Sequence, residues 1–240
     1  MFDKHFKMQV VSATDRPQQT AWICGHQDYS SHFVMERRDR FPDETRCGKL
    51  IVNTQLNKGH FGICEHPQIV LNCGYFPHAT VMQLRTHRVG ISFDVQSFRY
   101  TSKSFLEVAE SNLDIEEVFY FRPPGKYRAR QGNNYEYTKA DRERDKCYCY
   151  NACVAYGARI KEGMSEEHAR DVLPMNVRQH FVMGANARTI MHLLNLRLKK
   201  DAQLEAQVFC TMLLDVFCDW MPEVGSWYRE KLAYRAKLSA

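Results

Sequence analysis

The chain has 240 residues, 44% hydrophobic and 25% charged, with a formal net charge of +5 and a pI near 8.7. That is enough length for a substantial core and an ordinary globular balance, with a mild preference for anionic partners that falls short of a dedicated nucleic-acid binder. No run approaches the roughly eighteen apolar residues of a membrane span and the N-terminal stretch shows no apolar signal core, so the expected location is the cytoplasm.

Met8 to Ser12 reads as a short strand ending at the Asp15-Arg16-Pro17 turn, with a helix after it to about Cys24. Pro42 and Asp43 introduce a helix through Asn57, stopped by Gly59. Ile69 to Tyr75 is a compact apolar run expected to be a buried strand. Ala79 to Arg85 reads as a helix that delivers the chain to a cationic cluster. Val118 to Arg122 is strand-like, and Tyr127 to Tyr137, with Gln131-Gly132-Asn133-Asn134 between aromatics, predicts a β-hairpin carrying Arg128 and Arg130 at its tip. The last hundred residues read as helical: about Thr138 to Glu162, a short helix capped by Ser165 and stopped at Pro174, then roughly Ala185 to Leu198 and Asp201 to Trp220. In the last helix Phe209, Met212, Leu213, Val216, Phe217 and Trp220 form a core stripe. With no repeat or linker, the expectation is one α/β (α+β) domain over 1–240, a central sheet flanked by helices, with a helical C-terminal half and a hairpin insertion at about 118–137.

The nine cysteines sit mostly in apolar runs, so no disulfide framework is expected, and Cys147, Cys149 and Cys153 lack the spacing of a zinc ribbon. No metal site is expected. There is likewise no glycine-rich dinucleotide fingerprint, no P-loop and no nucleophile elbow.

Residues 85–100 carry the chemistry. Arg85, His87 and Arg88 are followed by an apolar, Gly-containing bend and then by Gln96, Ser97 and Arg99. Arg offers a rigid fork of N–H donors for phosphate or carboxylate, and Ser and Gln add neutral donors. Interleaved Val89, Ile91, Phe93, Val95 and Phe98 predict that the segment is at least half buried, and a buried Arg requires an anionic partner. An anion-binding pocket is the reading favoured over a solvated basic turn. In the helix 185–198, Arg188, His192 and Asn195 share one face while Arg197 falls among Ile190, Leu193 and Leu194, which suggests a second anion-directed Arg. Gly59-His60 with Glu65-His66 is a third polar cluster. Ser97, His87 and Asp94 could supply a nucleophile, a base and an orienter, although spacing alone defines no geometry.

These residues resemble the flavin-dependent thymidylate synthases. The family's signature is an Arg-His-Arg triplet, a spacer, then Ser-x-Arg-Tyr. Here Thr86-His87-Arg88 stands in the triplet, Arg85 lies one place early, one residue is added around Gly90-Ile91, and Ser97-Phe98-Arg99-Tyr100 completes the pattern. Gly59-His60 with Glu65-His66 is similar to a family element, as are Ala169-Arg170 with Leu173-Pro174, and Asn186-Ala187-Arg188 through Leu196-Arg197 and Ala202-Gln203. Each block is weak alone; four in sequence order are specific.

The resemblance implies an FAD enzyme that makes dTMP from dUMP, with 5,10-methylenetetrahydrofolate as carbon donor and NADPH as reductant. It also implies a homotetramer whose active sites are shared between subunits, with no membrane and no stable nucleic-acid partner. By the same resemblance, dUMP is held by Gln83, Arg85, Thr86, Gln96, Ser97, Phe98, Arg99, Arg170 and Arg197, with Arg99 reaching from a neighbouring subunit. Arg197 is the catalytic residue beside the uracil ring. FAD is held by His60, Gly62, Glu65, Thr86, His87, Arg88, Asn186, Arg188 and His192. The alternatives are a non-catalytic nucleotide- or RNA-binding protein using the same basic patch, and a hydrolase built on Ser97 and His87.

Overall fold

A computed structural model describes residues 3–129 and 132–235. In chain order the elements are β1 (Lys7–Ala13), α1 (Pro17–Tyr29), a 3-10 segment Val34–Arg40, α2 (Glu44–Thr54), 3-10 turns Leu56–Lys58 and Gly62–Glu65, β2 (Gln68–Pro77), α3 (His78–Leu84) and β3 (Ile91–Val95). There follow α4 (Lys103–Ala109), α5 (Ile115–Val118), β4 (Gly125–Arg128), β5 (Asn134–Tyr137), α6 (Lys139–Lys161) and α7 (Glu166–Ala169). The chain ends with a 3-10 turn Arg170–Val172, β6 (Arg178–Asn186), α8 (Ala187–Arg197), α9 (Leu204–Trp220) and α10 (Pro222–Lys231). One sheet runs in the order β1-β2-β6-β3 and a second is the pair β4-β5. The chain forms two compact units: Met1–Cys73, Leu84–Asp94 and Val182–Ala240 make the first, Gly74–Gln83 and Val95–Phe181 the second. Among the described residues no helix is long and apolar enough to cross a membrane.

The first unit is organised by long-range helix capping. Arg16 gives α1 no side-chain cap, and the Glu44 carboxylate takes that place, accepting from the Gln18 and Gln19 amides at 2.6 and 2.8 Å. A carboxylate suits the positive end of a helix and satisfies two orphan N–H groups. The Gln18 side chain, fully buried, accepts in turn from the Glu223 and Val224 amides at 3.0 and 3.1 Å and so caps α10. The apolar stripe of α9 supplies Phe209, Leu213 and Phe217 to the core, joined by Leu193, Leu194, Ile51 and Tyr228, while Met212, Val216 and Trp220 lie on its half-exposed flank. Gly59 has φ +85 and ends the helical stretch as expected.

The second unit is built on α6. Thr138 and Asp141 form a reciprocal capping box at its start. Its inner face gives Cys149, Cys153 and Tyr156 to a core with Phe105, Val108 and Phe119. Cys149 and Cys153 are therefore helix packing, and all nine cysteines are free. The hairpin forms with Gly125 opposite Tyr137 and Arg128 opposite Asn134; Arg130 and Gln131, expected at its tip, lie outside the described residues.

Three expectations need correction. Val118 to Arg122 is not a strand: Asp114 caps the single turn α5, and only Phe119 makes a bridge, to Val177. The C-terminal region is not wholly helical, because 178–186 is a strand whose buried Phe181, Met183 and Ala185 alternate. That strand displaces the start of the next helix from Ala185 to Ala187, with Asn186 as its N-cap. The bend after Arg88 continues into a strand that was not expected, β3, in which Ile91, Phe93 and Val95 alternate.

Candidate functional site

The residues singled out from sequence divide between the two units. Arg85, Thr86, His87 and Arg88, the 60–65 loop and the whole of α8 belong to the first unit, whereas Gln83, 96–99 and Arg170 belong to the second.

In the first unit three segments meet. The turn after Arg88 is drawn to the start of α8: Asn186 N donates to Gly90 O at 3.1 Å, and Thr189 Oγ1 donates to Val89 O at 2.9 Å. Gly90 sits at φ +67, and a Cβ there would lie 2.4 Å from Thr189 Oγ1 and 2.5 Å from Asn186 Nδ2, so the approach requires glycine. Asn186 is buried, its Oδ1 accepting from Thr189 N at 2.8 Å. One turn along α8, His192 meets His87 edge to face with ring centroids 5.6 Å apart. At the end of α8, Arg197 Nε donates to His87 Nε2 at 3.4 Å, which requires that ring nitrogen to be unprotonated. The His87 imidazole is pushed below its ordinary pKa by burial first, then by Arg197 and His192. From α8 the Arg188 guanidinium reaches Glu65 in an ion pair, both side chains half exposed. His60 and Gly62 line a 200 Å³ cavity with Cys24, Gln55 and His66.

The arginines are less buried than the interleaved apolar residues implied. Arg85 and Arg88 are exposed, Val89 is 88% exposed, and Ile91, Phe93 and Val95 are half-buried. Arg197, placed by helical stepping on the apolar stripe, is half-buried.

In the second unit Ser97 begins a tight turn, its carbonyl accepting from the Tyr100 and Thr101 amides at 3.0 and 3.2 Å. The Phe98 ring turns inward, with centroids 5.8 Å from Phe105 and 5.9 Å from His78. Arg99 is exposed and 3.4 Å from Glu167, which stands three residues before the exposed Arg170. Gln83 is half-buried at the end of α3. Gln96 and Phe98 line a 320 Å³ cavity with Tyr75, Arg178 and His180.

Sequence reasoning missed Arg178. A buried guanidinium was expected within 85–99, yet among the described residues the buried one is here, 6% exposed. Its Nε donates to Glu116 O at 2.8 Å and its Nη1 to Tyr75 O at 3.0 Å. The second bond steadies Tyr75, which holds φ 68 although it is not glycine. The alternation Phe181, Met183, Ala185 was the available signal for this strand.

Comparison with known proteins places the chain in a family. The model of the thymidylate synthase complementing protein family matches residues 9–223. The flavin-dependent thymidylate synthase of Haloarcula marismortui is 29% identical over 241 residues, covering 95% of this chain and 97% of that protein. The enzyme of the same name from Pseudothermotoga lettingae is 30% identical over 192 residues, covering 78% and 79%. Among solved structures, thymidylate synthase X from Helicobacter pylori with FAD and dUMP aligns with TM-score 0.68 at 18% identity, covering 91% of this chain and 99% of the other. A UMP/dUMP methylase from Streptomyces cacaoi bound with 5-Br dUMP aligns with TM-score 0.71 at 18% identity, covering 95% and 97%. The structural likeness establishes the fold.

Proposed function

The chain belongs to the thymidylate synthase complementing protein family, the flavin-dependent thymidylate synthases, and from that membership we propose that it makes dTMP from dUMP with bound FAD. The carbon donor in this reading is 5,10-methylenetetrahydrofolate, the reductant is NADPH, and the enzyme works in the cytoplasm as a homotetramer with shared active sites. What supports it most directly is the gathering of His87, Arg188, His192 and Arg197 in one unit, although His87 and Arg197 are separated by 110 residues.

The donor set fits a flavin dinucleotide. Arg88 and Arg188 are exposed cations, and Arg188 lies in the first turn of α8, whose N-terminus favours phosphate oxygens. His60, Gly62 and Glu65 lie on the adjoining loop, and Thr86, His87, Asn186 and His192 complete the set. When bound, FAD supplies the hydride transfer. The protein's part is binding and field. Ser97, Arg99 and Arg170, with Gln83, Arg85, Thr86, Gln96 and Phe98, hold dUMP, the arginines taking its phosphate. Arg197, always charged, stabilises negative charge that develops on the pyrimidine and accepts no proton. No thiolate is called for: burial pushes the Cys64 thiol, beside Glu65, up to about 12.

The test is dTMP formation from dUMP with FAD, NADPH and the folate, omitting each in turn. Turnover that needs all of them, from a yellow protein, is expected. A colourless protein that retains RNA, with binding that weakens steeply in salt, overturns the reading, as does hydrolysis without flavin.

A further inference from the structure

The segment 96–97 is tied down by a residue to which nothing so far gives a role. Gln179 lies on β6, 4% exposed. Its Oε1 is 2.8 Å from His78 Nδ1, and its Nε2 donates to the Gln96 carbonyl at 2.8 Å. The polarity of this chain is set from one end. The Gln96 carbonyl can only accept, so the amide must present N–H to it and its oxygen to His78, whose Nδ1 therefore carries the proton. The neighbouring residue closes the clamp. Gln96 N donates to His180 O at 2.9 Å, and His180 N donates to Gln96 Oε1 at 3.0 Å. The Gln96 N–H, carbonyl and side-chain oxygen are thus all held by residues 179 and 180. The carbonyl that Gln179 grips belongs to the peptide linking Gln96 to Ser97, so its orientation sets where Ser97 enters the turn that carries Arg99. On the other side His78 also meets the Phe98 ring, with centroids 5.9 Å apart.

A buried amide is costly wherever an apolar side chain of the same shape would fill the space, unless both its ends are used. Here both are used, and one of them orients a main-chain group directly before the expected phosphate contacts. We propose that Gln179 is a positioning residue for the nucleotide: its amide, backed by His78, fixes the 96–97 peptide so that Ser97 and Arg99 present their donors to the substrate phosphate. This rests on the proposed function, in which those two side chains hold dUMP. It also recasts Gln96, whose side-chain oxygen is committed to β6, as part of the clamp.

Gln179→Met keeps the volume and removes both hydrogen bonds. In the FAD-loaded enzyme it should raise the dUMP KM about tenfold, the order expected from losing one aligned hydrogen bond, while kcat at saturation changes little. Ser97→Ala should raise KM by a similar factor. Because Gln179 acts in part through Ser97, the double variant should show a loss clearly smaller than the hundredfold of independent sites. A KM within about twofold of wild type, or multiplicative losses in the double variant, overturns the proposal. If Gln179→Met does not fold, Gln179→Glu decides. A buried carboxyl facing a carbonyl oxygen can donate only when protonated, so its KM relative to wild type at the same pH should grow as pH rises. A flat ratio overturns the proposal. Absence of dTMP formation by the wild-type enzyme instead sinks the functional reading itself, so the two failures are distinct.

Discussion

Arg197 Nε lies 3.4 Å from His87 Nε2, so the half-buried guanidinium at the end of α8 faces an imidazole from the turn after α3. In the proposed reaction the same Arg197 bears on the pyrimidine. Arg197→Ala should lower dTMP formation by about 10²–10³-fold, the usual loss when one preorganised charge is removed. FAD content and thermal melting should stay near wild type, since the α8 cap and the Arg188–Glu65 pair are untouched. Unaltered turnover would remove Arg197 from the chemistry.

The same contact makes His87 a probe of acid stability. Its pKa lies below the ordinary 6.5, by burial first and then by Arg197 and His192. Above 6.5 the imidazole is neutral whether the chain is folded or not, so it costs nothing there. As pH falls from 6.5 toward the depressed folded value, the unfolded chain binds the proton first, and stability is lost over that window. Arg197→Leu should move the His87 resonance titration upward and narrow the window. A titration midpoint at or above 6.5 in the wild-type protein would contradict this account.

Gly90→Ala should be among the more damaging single changes. It places a side chain at φ +67 and drives Cβ to 2.4 Å from Thr189 Oγ1 and 2.5 Å from Asn186 Nδ2. Left-handed strain together with overpacking amounts to about 2–5 kcal/mol by denaturant unfolding. FAD content should fall with it, because the turn bearing His87 and Arg88 is what Gly90 brings against α8. A variant of wild-type stability would mean that the close approach has been misjudged.

Tyr156→Phe should go the other way. Tyr156 is 0% exposed, and its hydroxyl has no hydrogen-bond partner among the described residues. An unpaired buried hydroxyl costs about 1–3 kcal/mol, so its removal should leave stability unchanged or raise it by about 1 kcal/mol. A clear loss of stability on calorimetry would reveal a partner.

Sharing of active sites is open to complementation. Arg99→Ala should weaken dUMP binding, and Arg197→Ala should leave only the low residual turnover given above. Mixed under conditions that exchange subunits, the two should regain part of the wild-type rate if one site draws Arg99 and Arg197 from different chains. Verified exchange without recovery would place both in one subunit.

Much of the chain was legible from its local signals. Asp43 and Gly59 delimit the second helical stretch, Thr138 with Asp141 starts α6, alternating aromatics mark the hairpin, and the stripe of α9 becomes core, because caps, turns and periodicity act within a few residues. The motif blocks likewise marked the family. Tertiary structure decided what those signals do not encode. It paired Arg188 with Glu65 across 123 residues and bound Gln179 to Gln96 across 83. It made Asn186 a helix cap, put a buried arginine at 178 where the 85–99 segment was expected to hold one, and left Arg85, Arg88 and Arg99 exposed. The physical reason is the position of β6 between β2 and β3 in the sheet. Strand order depends on which faces pack together, and propensity along the chain is silent about that.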